Sequence, residues 1–577
     1  MNSTLRHFLR TFPMLLVLPL RLLASDSSPQ PAAPPSPANL EWWREARFGM
    51  FVHWGPVSLK GTEIGWSRGA EVPEAEYDRL FRHFNPTRFD GRAWARTAKA
   101  AGMKYLVLTS KHHDGFCLWD SQYTDYDVMN TPFGRDVIRE LSAACRKEGI
   151  VFCTYHSICD WWHPDYPLGS PGGKSQKPAP NMDRYNAYLK GQLTELIRNY
   201  GPLGILWFDG EWESPWNPDR ALDLYQHCRR LQDSIIINNR VGKGRQDMAG
   251  TTAGGAFAGD YDTPEQRVGK FQNDRPWESC ITICQQWAWK PDDQLKSLRE
   301  CLQTLVTCAG GDGNLLLNVG PMPDGRIEPR QVERLREMGR WLKRYGKSLY
   351  ATRGGPYKPG AWGASTRRGG RIYLHVFRWP DGGLRLPAID RKITSARALT
   401  GGRVQLEQGG DRVLVSVSAG HRQPIDTVIE LRLDGPAATI APRQVGGTSS
   451  STGKEASASN VFQNDTGYGA GMACDGDAAT RWATDAGTRQ AWIEVDLGKP
   501  ETFSRVVVDE WQDGGKRIQS FELQYHDGDG WKTFCRGTTI GSEREYKFPG
   551  VTARRVRLNI LDATEGPTLT EFSIFRE

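Results

Sequence analysis

The stretch Ile205-Leu206-Trp207-Phe208-Asp209-Gly210-Glu211 runs four apolar residues straight into a carboxylate. A short continuous apolar run closed by Asp-Gly reads as a strand buried on both faces. An ordinary strand stopping at a solvated turn would account for Asp209. So would an acid aimed from a strand terminus into a site. The surrounding chain bears on the choice. Further apolar runs lie at 48–53, 105–109, 150–156, 235–239, 281–284 and 315–319. Amphipathic stretches at 94–101, 137–147, 185–200, 222–231, 295–306 and 332–345 separate several of them. In one of these, Tyr185, Tyr188, Leu189, Leu193, Leu196, Ile197 and Tyr200 recur at helical spacing, and Gly201-Pro202 stops the helix. Strands alternating with helices over some 300 residues predict a parallel sheet covered by helices, and the number of units suits a (β/α)8-like barrel.

In such a barrel the chemistry gathers at the C-terminal strand ends. Those ends carry His53-Trp54-Gly55, Lys111-His112-His113-Asp114, Tyr155-His156, Asp209, Asn238-Asn239-Arg240 and Asn318. Polar, titratable or ring-bearing groups at nearly every end favour a site in the barrel mouth.

The predicted organisation is multidomain. Residues 1–24 combine Arg6 and Arg10, a short apolar run and a small residue before a polar one, the pattern of a signal peptide, so the protein is expected to be secreted or periplasmic. Residues 25–38 form a Pro/Ser-rich linker and 39–352 the barrel. After Tyr350 alternating runs replace the helical pattern, so 353–440 is expected to be an antiparallel β-sandwich. A Gly/Ser-rich linker at 441–455 leads to an all-β segment at 456–577 containing Trp482, Trp492, Trp511 and Trp531. The net charge of +7 comes from Lys and Arg spread along the chain without a basic block, which argues against nucleic acid as a partner. No stable membrane span is expected once the leader is removed. The 11 cysteines are odd in number and irregularly spaced. Cys117, Cys153, Cys284 and Cys308 read as small core hydrophobes, and no Cys/His set has zinc spacing.

Two carboxylates suffice to hydrolyse a glycosidic bond with retention. Asp209, held rigidly at a strand end, suits the nucleophile. Glu265 and Glu278 are candidates for the acid/base, and Glu63 and Glu211 are outsiders. His and Arg would hold hydroxyls, and Trp would take the apolar face of a sugar ring.

Several long motifs carry a resemblance: WWREARFGMFVHWGP (42–56), FNPTRFDGRAWARTAKAAGMKYLVLTSKHHDGFCLWDS (84–121), ILWFDGE (205–211), TPEQ (263–266) and GNLLLNVGPMPDGRI (313–327). Together they resemble the α-L-fucosidases of glycoside hydrolase family 29 over roughly residues 40–430. The resemblance implies a retaining exo-enzyme that removes terminal α-L-fucose from fucosylated oligosaccharides or glycoconjugates without a cofactor. It implies Asp209 as nucleophile and His53, Trp66, His112, His113, Tyr155, Trp207 and Arg240 around the fucose ring. Glu63 falls near an acidic position of that pocket, and Trp287 and Trp289 lie where an aromatic faces the fucose methyl group. The TPEQ loop resembles the acid/base loop of the branch preferring α-1,3/1,4 linkages, which favours Glu265 over Glu278. A broader fucosidase that also cleaves α-1,2 linkages, and a non-catalytic fucose-binding protein, are the alternatives.

The last segment resembles the discoidin-like (factor 5/8 type C) β-sandwich, a jelly roll shared with family 32 carbohydrate-binding modules. ASASN (456–460), ACDGDAATRWAT (473–484), AWIEVDLG (491–498) and EFSIF (571–575) carry the likeness. It implies a structural calcium held by Asp475, Asp477, Thr480 and Glu571, hard oxygen donors that suit this ion.

Overall fold

A computed structural model describes residues 37–576 except 258, 381, 446–448, 477–479, 512–515 and 542–543. The expected signal peptide and most of the linker at 25–38 lie outside the described residues. The helix Pro37–Ala46 takes the last two linker positions. No helix among the described residues is long and apolar enough to cross a membrane.

The first unit is built on parallel strands β1 (Phe48–Val52), β2 (Tyr105–Lys111), β3 (Val151–Ser157), β4 (Ile205–Asp209) and β5 (Ile236–Ile237). The hairpin β6 (Arg245–Gln246) and β7 (Thr251–Thr252) follows, and β8 (Glu278–Thr282) and β9 (Asn314–Val319) complete the sheet. The hydrogen-bonded order is β5-β4-β3-β2-β1-β9-β8. Its two edges are joined by an eighth stave missing from the sequence reading. Tyr261 bridges Asn238, Asp262 bridges Trp277, and Glu265 bridges Cys280, all in parallel sense. The barrel is therefore closed. Pro264 lacks an amide hydrogen and the segment is polar, which explains why this stave gives no apolar signal.

Each stave sends at least one side chain into the barrel interior, where Phe51, Val107, Tyr155, Trp207, Ile236, Tyr261, Cys280 and Leu316 pack together. The covering helices start where side-chain caps allow. Asp90, Asp136, Asn181 and Asn217 each accept backbone N–H groups at a helix start. Ser297 and Glu300 form a reciprocal capping box. All 11 cysteines are free thiols and ten are buried, among them Cys117, Cys153, Cys284 and Cys308, the four read as core residues.

One expectation fails in register. The seventh barrel strand begins at Glu278 rather than Ile281, so Glu278 is its first residue and lies at the N-terminal end of the barrel.

Two antiparallel sheets follow. One contains Gly363–Arg368, Arg371–Val376, Thr427–Leu433 and Ile393–Ala398, and the other Leu384–Pro387, Arg412–Val417 and Val404–Gly409. They enclose a common core that includes Ile372, Leu374, Leu386, Val415 and Leu431. The C-terminal module is an antiparallel sheet dominated by two 20-residue strands, Ala491–Glu510 and Arg544–Ala563. Register shifts between Asp496/Glu501 and Phe503/Arg505 bend the ladder between them.

The linker expected at 441–455 is tied down at both ends rather than free of contacts. Arg443 pairs with Tyr357 of the sandwich, and Val445 packs on the sandwich core. Ser450 N donates to Ile574 O (2.6 Å), and Ser451 Oγ donates to Phe572 O (2.8 Å). Ser450 and Ser451 thus satisfy carbonyls of the last strand, while residues 452–455 stay exposed.

Candidate active site

Asp209 ends β4, and Gly210 turns the chain immediately after it with φ 98°. A Cβ at residue 210 would lie 2.8 Å from the Cys159 backbone nitrogen, so glycine is required on both conformational and steric grounds. The turn directs the Asp209 carboxylate into a cavity of about 330 Å3 at the C-terminal mouth of the barrel. Arg240 Nη1 donates to Asp209 Oδ1 (2.7 Å), and Tyr155 OH donates to Oδ2 (3.1 Å). Burial alone would raise the Asp209 pKa, but Arg240, His113 and Arg245 outweigh it and hold the group below its ordinary value.

The same guanidinium serves a second acid. Arg240 Nη2 donates to Glu265 Oε2 (2.8 Å), and Nε donates to Thr263 Oγ1 (3.0 Å). Its carbon stacks 4.5 Å over the Trp207 ring, which fixes the plane of the fork. One guanidinium therefore holds both carboxylates at its two terminal nitrogens. A pair of carboxyls flanking one bond is what glycoside hydrolysis uses. Arg245 reaches Glu265 Oε2 with Nη2 (3.2 Å) and Glu211 Oε1 with Nη1 (3.4 Å). Burial and the Asp209 charge push the Glu211 carboxyl up to about 7, so the two neighbouring acids of the ILWFDGE stretch are driven apart.

Imidazoles and aromatic rings line the rest. Burial lowers the His53 pKa to about 3, so its ring is neutral. Asn318 Nδ2 donates to Trp287 O (2.8 Å), which orients the amide so that its Oδ1 accepts from His53 Nδ1 (2.7 Å). His53 Nε2 is thereby left as an acceptor for a hydroxyl. His112 stacks on Tyr155 at 5.2 Å and 6°, and Trp207 stacks on the same tyrosine at 5.6 Å. Trp287 lies over His53 at 4.8 Å. A cavity of apolar faces with a few convergent polar groups suits a sugar.

The structure brings His53, Trp66, His112, Tyr155, Trp207, Asp209, Arg240, Glu265 and Trp287 to one cavity wall. Of the other residues named from the sequence, His113, Glu63, Glu278, Glu211 and Trp289 do not line it. His113 lies behind Asp209, with Nε2 3.7 Å from Oδ2, and burial lowers its pKa to about 4. Glu63 is spent on backbone: it accepts from Trp287 N (2.9 Å), Ala288 N (3.0 Å) and Ile64 N (3.0 Å), and so positions the Trp287 loop. Glu278, the other acid/base candidate, is fully buried at the opposite end of the barrel. Trp43 Nε1 (3.1 Å), Tyr105 OH and Tyr261 OH (3.4 Å) donate to it. The shifted register of β8 is the physical reason it is remote from the mouth.

Sequence reading missed Phe51, Trp212, Arg245, Asp247, Met248 and Cys280 in the lining. Trp212 had a signal, since it is the next aromatic beyond the Asp-Gly turn. Arg245, Asp247 and Met248 sit on the β6–β7 hairpin, whose Gly-rich surroundings carry no periodicity.

In the C-terminal module Thr480 Oγ1 donates to both Asp475 oxygens (2.9 Å each). Asp475 and Glu571 both raise the pKa of the buried Cys474 thiol, behind the larger effect of burial, so the two acids share one neighbourhood. Asp477 lies outside the described residues. Among the described residues no three His, Cys, Asp or Glu side chains converge as a metal cluster.

The alpha-L-fucosidase family model matches residues 26–347, and the F5/8 type C domain model matches residues 450–572. The chain is 31% identical over 390 residues to the tissue alpha-L-fucosidase of Homo sapiens, covering 62% of this chain and 78% of that protein. It superposes on alpha-L-fucosidase isoenzyme 1 from Paenibacillus thiaminolyticus with a TM-score of 0.62 and 35% identity, over 69% of this chain and 99% of that one. A family 29 alpha-L-fucosidase from Bacteroides thetaiotaomicron, trapped as a covalent intermediate with 2-fluoro-fucosyl fluoride, gives 0.63 and 30% over 70% and 97%. With its closed barrel, two carboxylates on one arginine and these relatives, the chain belongs to the alpha-L-fucosidases of glycoside hydrolase family 29 and carries a C-terminal F5/8 type C module.

Proposed function

We propose that the protein is an exported, retaining exo-α-L-fucosidase that removes α-1,3/1,4-linked terminal fucose from glycans, with Asp209 as nucleophile and Glu265 as acid/base. The observation that carries this reading is the single Arg240 guanidinium bonded to Asp209 at 2.7 Å and Glu265 at 2.8 Å. Asp209, kept ionised by that arginine, attacks the anomeric carbon while the Glu265 carboxyl protonates the departing glycosidic oxygen. The C–O bond to the leaving sugar breaks as the bond to Asp209 forms. Glu265 then takes a proton from water, whose oxygen displaces Asp209 and restores the original anomeric configuration. His53 Nε2, the His112 ring and Trp287 supply hydroxyl and apolar contacts.

The relative trapped as a covalent intermediate supports double displacement. A cavity of about 330 Å3, at the small end of ligand cavities (roughly 300–1,000 Å3), supports removal of one terminal sugar. The TPEQ sequence at 263–266 supports the linkage preference, and the N-terminal pattern supports secretion or export to the periplasm. In the module, Asp475, Thr480, Glu571 and Asp477 would hold a structural calcium that neutralises acids gathered beside Cys474.

Asp209→Ala tests the nucleophile. kcat should fall by roughly three or more orders of magnitude, and azide should restore turnover as a β-fucosyl azide product. Glu265→Ala should slow substrates with poor leaving groups far more than activated aryl fucosides, because only the former need a proton. A larger differential for Glu278→Ala would move the acid/base role there.

A further inference from the structure

The tripeptide Glu211-Trp212-Glu213 after the nucleophile alternates in an unusual way. Glu211 is 3% exposed and Glu213 6%, whereas Trp212 between them is 42% exposed. Both acids are anchored. Glu213 accepts from Trp161 Nε1 (3.0 Å) and Tyr166 OH, and Glu211 faces Arg245. The backbone is thus pinned on each side of a large apolar side chain turned toward solvent. Trp66, from the loop after β1, is equally exposed at 42% and lies parallel to Trp212 at 6.0 Å and 17°. Both indoles stand edge-on to the buried His113 ring, at 5.7 and 5.4 Å, and Trp66 also packs edge-on against buried Trp161 at 5.6 Å. Two exposed tryptophans held in fixed orientation leave apolar ring faces uncovered, which is costly in water unless a ligand covers them.

Both rings line the cavity that holds Asp209, yet they belong to its mouth, since His53, His112, Tyr155, Trp207 and Arg240 are all nearly buried. Arg245, Asp247 and the 44% exposed Met248 on the β6–β7 hairpin complete the lining. On the reading that Asp209 attacks the anomeric carbon of a fucose seated in the cavity, the glycosidic oxygen leaves toward this mouth. We infer that Trp212, braced by Trp66 at the border of the fucose pocket, forms the platform on which the leaving-group sugar stacks. The occupant is the pyranose residue that carries the fucose: its carbon-bound hydrogens face the indole, and its hydroxyls face the exposed Asp247 at the rim. This platform makes the enzyme selective for fucose on another sugar over fucose on a small aglycone.

The test compares α-L-fucosyl fluoride, whose leaving group is one atom, with a disaccharide of fucose α-1,3-linked to N-acetylglucosamine. In Trp212→Ala the ratio of kcat/KM for the disaccharide to kcat/KM for the fluoride should fall roughly tenfold or more, the scale of a buried aromatic contact. Trp212→Phe, which keeps a ring, should restore most of the ratio and separates stacking from general loss of structure. An unchanged ratio in Trp212→Ala, or a wild type that hydrolyses the fluoride but not the disaccharide, overturns the platform. A wild type inert toward the fluoride, which needs no proton donor and no platform, would instead sink the double-displacement reading beneath it.

Discussion

Arg240 holds Asp209 with one terminal nitrogen at 2.7 Å and Glu265 with the other at 2.8 Å, so one side chain sets both the charge of the first acid and the position of the second. A lysine keeps the charge but is a single point donor and cannot span two carboxylates. Arg240→Lys is therefore expected to lower kcat by about two orders of magnitude or more, the scale seen when a pre-organised charge contact is lost. Folding, checked by circular dichroism, should be little changed. Retention of wild-type kcat would mean that the two acids are positioned without the shared fork.

Glu278 offers a test of stability against pH. Burial pushes its carboxyl from 4.5 up to about 7, although Tyr105, Trp43 and Tyr261 donate to it. The folded state keeps a proton that the unfolded chain releases above about pH 4.5. The stabilisation is thus complete below about 4.5 and is lost as pH rises through about 7, a change on the order of 3 kcal/mol. His53 and His113, held near 3 and 4, act in the opposite sense, so the wild-type curve alone does not isolate Glu278. The comparison with Glu278→Gln does. Denaturant unfolding at pH 5 and pH 8 should show the variant gaining on the wild type at the higher pH. A stability gap independent of pH would show that Glu278 does not titrate in this window.

The barrel was legible because apolar runs and helical periodicity report burial, and Asp209 because a charge at the end of such a run breaks the pattern. The 260–266 stave was not, since Tyr261-Asp262-Thr263-Pro264 joins the barrel through isolated bridges rather than an apolar ladder. That gap also explains why Glu265 and Glu278 could not be separated: only the closed barrel sets Glu265 at the mouth and Glu278 at the far end. Arg245 and Met248 reach the cavity from a short hairpin whose position depends on tertiary packing, which no local pattern records.

The proposed calcium site of the C-terminal module gives a third prediction. If Asp475, Thr480, Glu571 and Asp477 bind calcium only in the folded state, mass action stabilises that state in proportion to the ion's saturation. The module's thermal transition in the full chain should rise with added calcium and fall with a chelator, by several degrees at a hundredfold excess over Kd (about 2.7 kcal/mol). Asp475→Ala should abolish the response. Equal transitions with calcium and chelator would show that Thr480 and Asp475 simply cap a turn.

The junction between sandwich and module sets the last expectation. Arg443 N donates to Pro356 O (2.8 Å), Lys358 N donates to Arg443 O (2.9 Å), and Val445 packs on the sandwich core. Ser449 Oγ donates to Ile574 O on the other side (3.2 Å). A chain ending at Val445 keeps the Arg443 and Val445 contacts to the sandwich and every residue that lines the catalytic cavity. It should retain the kcat/KM of the full chain on small aryl fucosides and lose ground only on polymeric or surface-displayed glycans. A chain ending at Pro442 removes two backbone hydrogen bonds and an apolar contact, a loss of roughly 1–3 kcal/mol, and should melt a few degrees lower with kcat/KM unchanged. Loss of activity on small substrates in the Val445 truncation would make the module part of the catalytic unit. Equal melting temperatures for the two truncations would show that 443–445 contributes nothing to the sandwich.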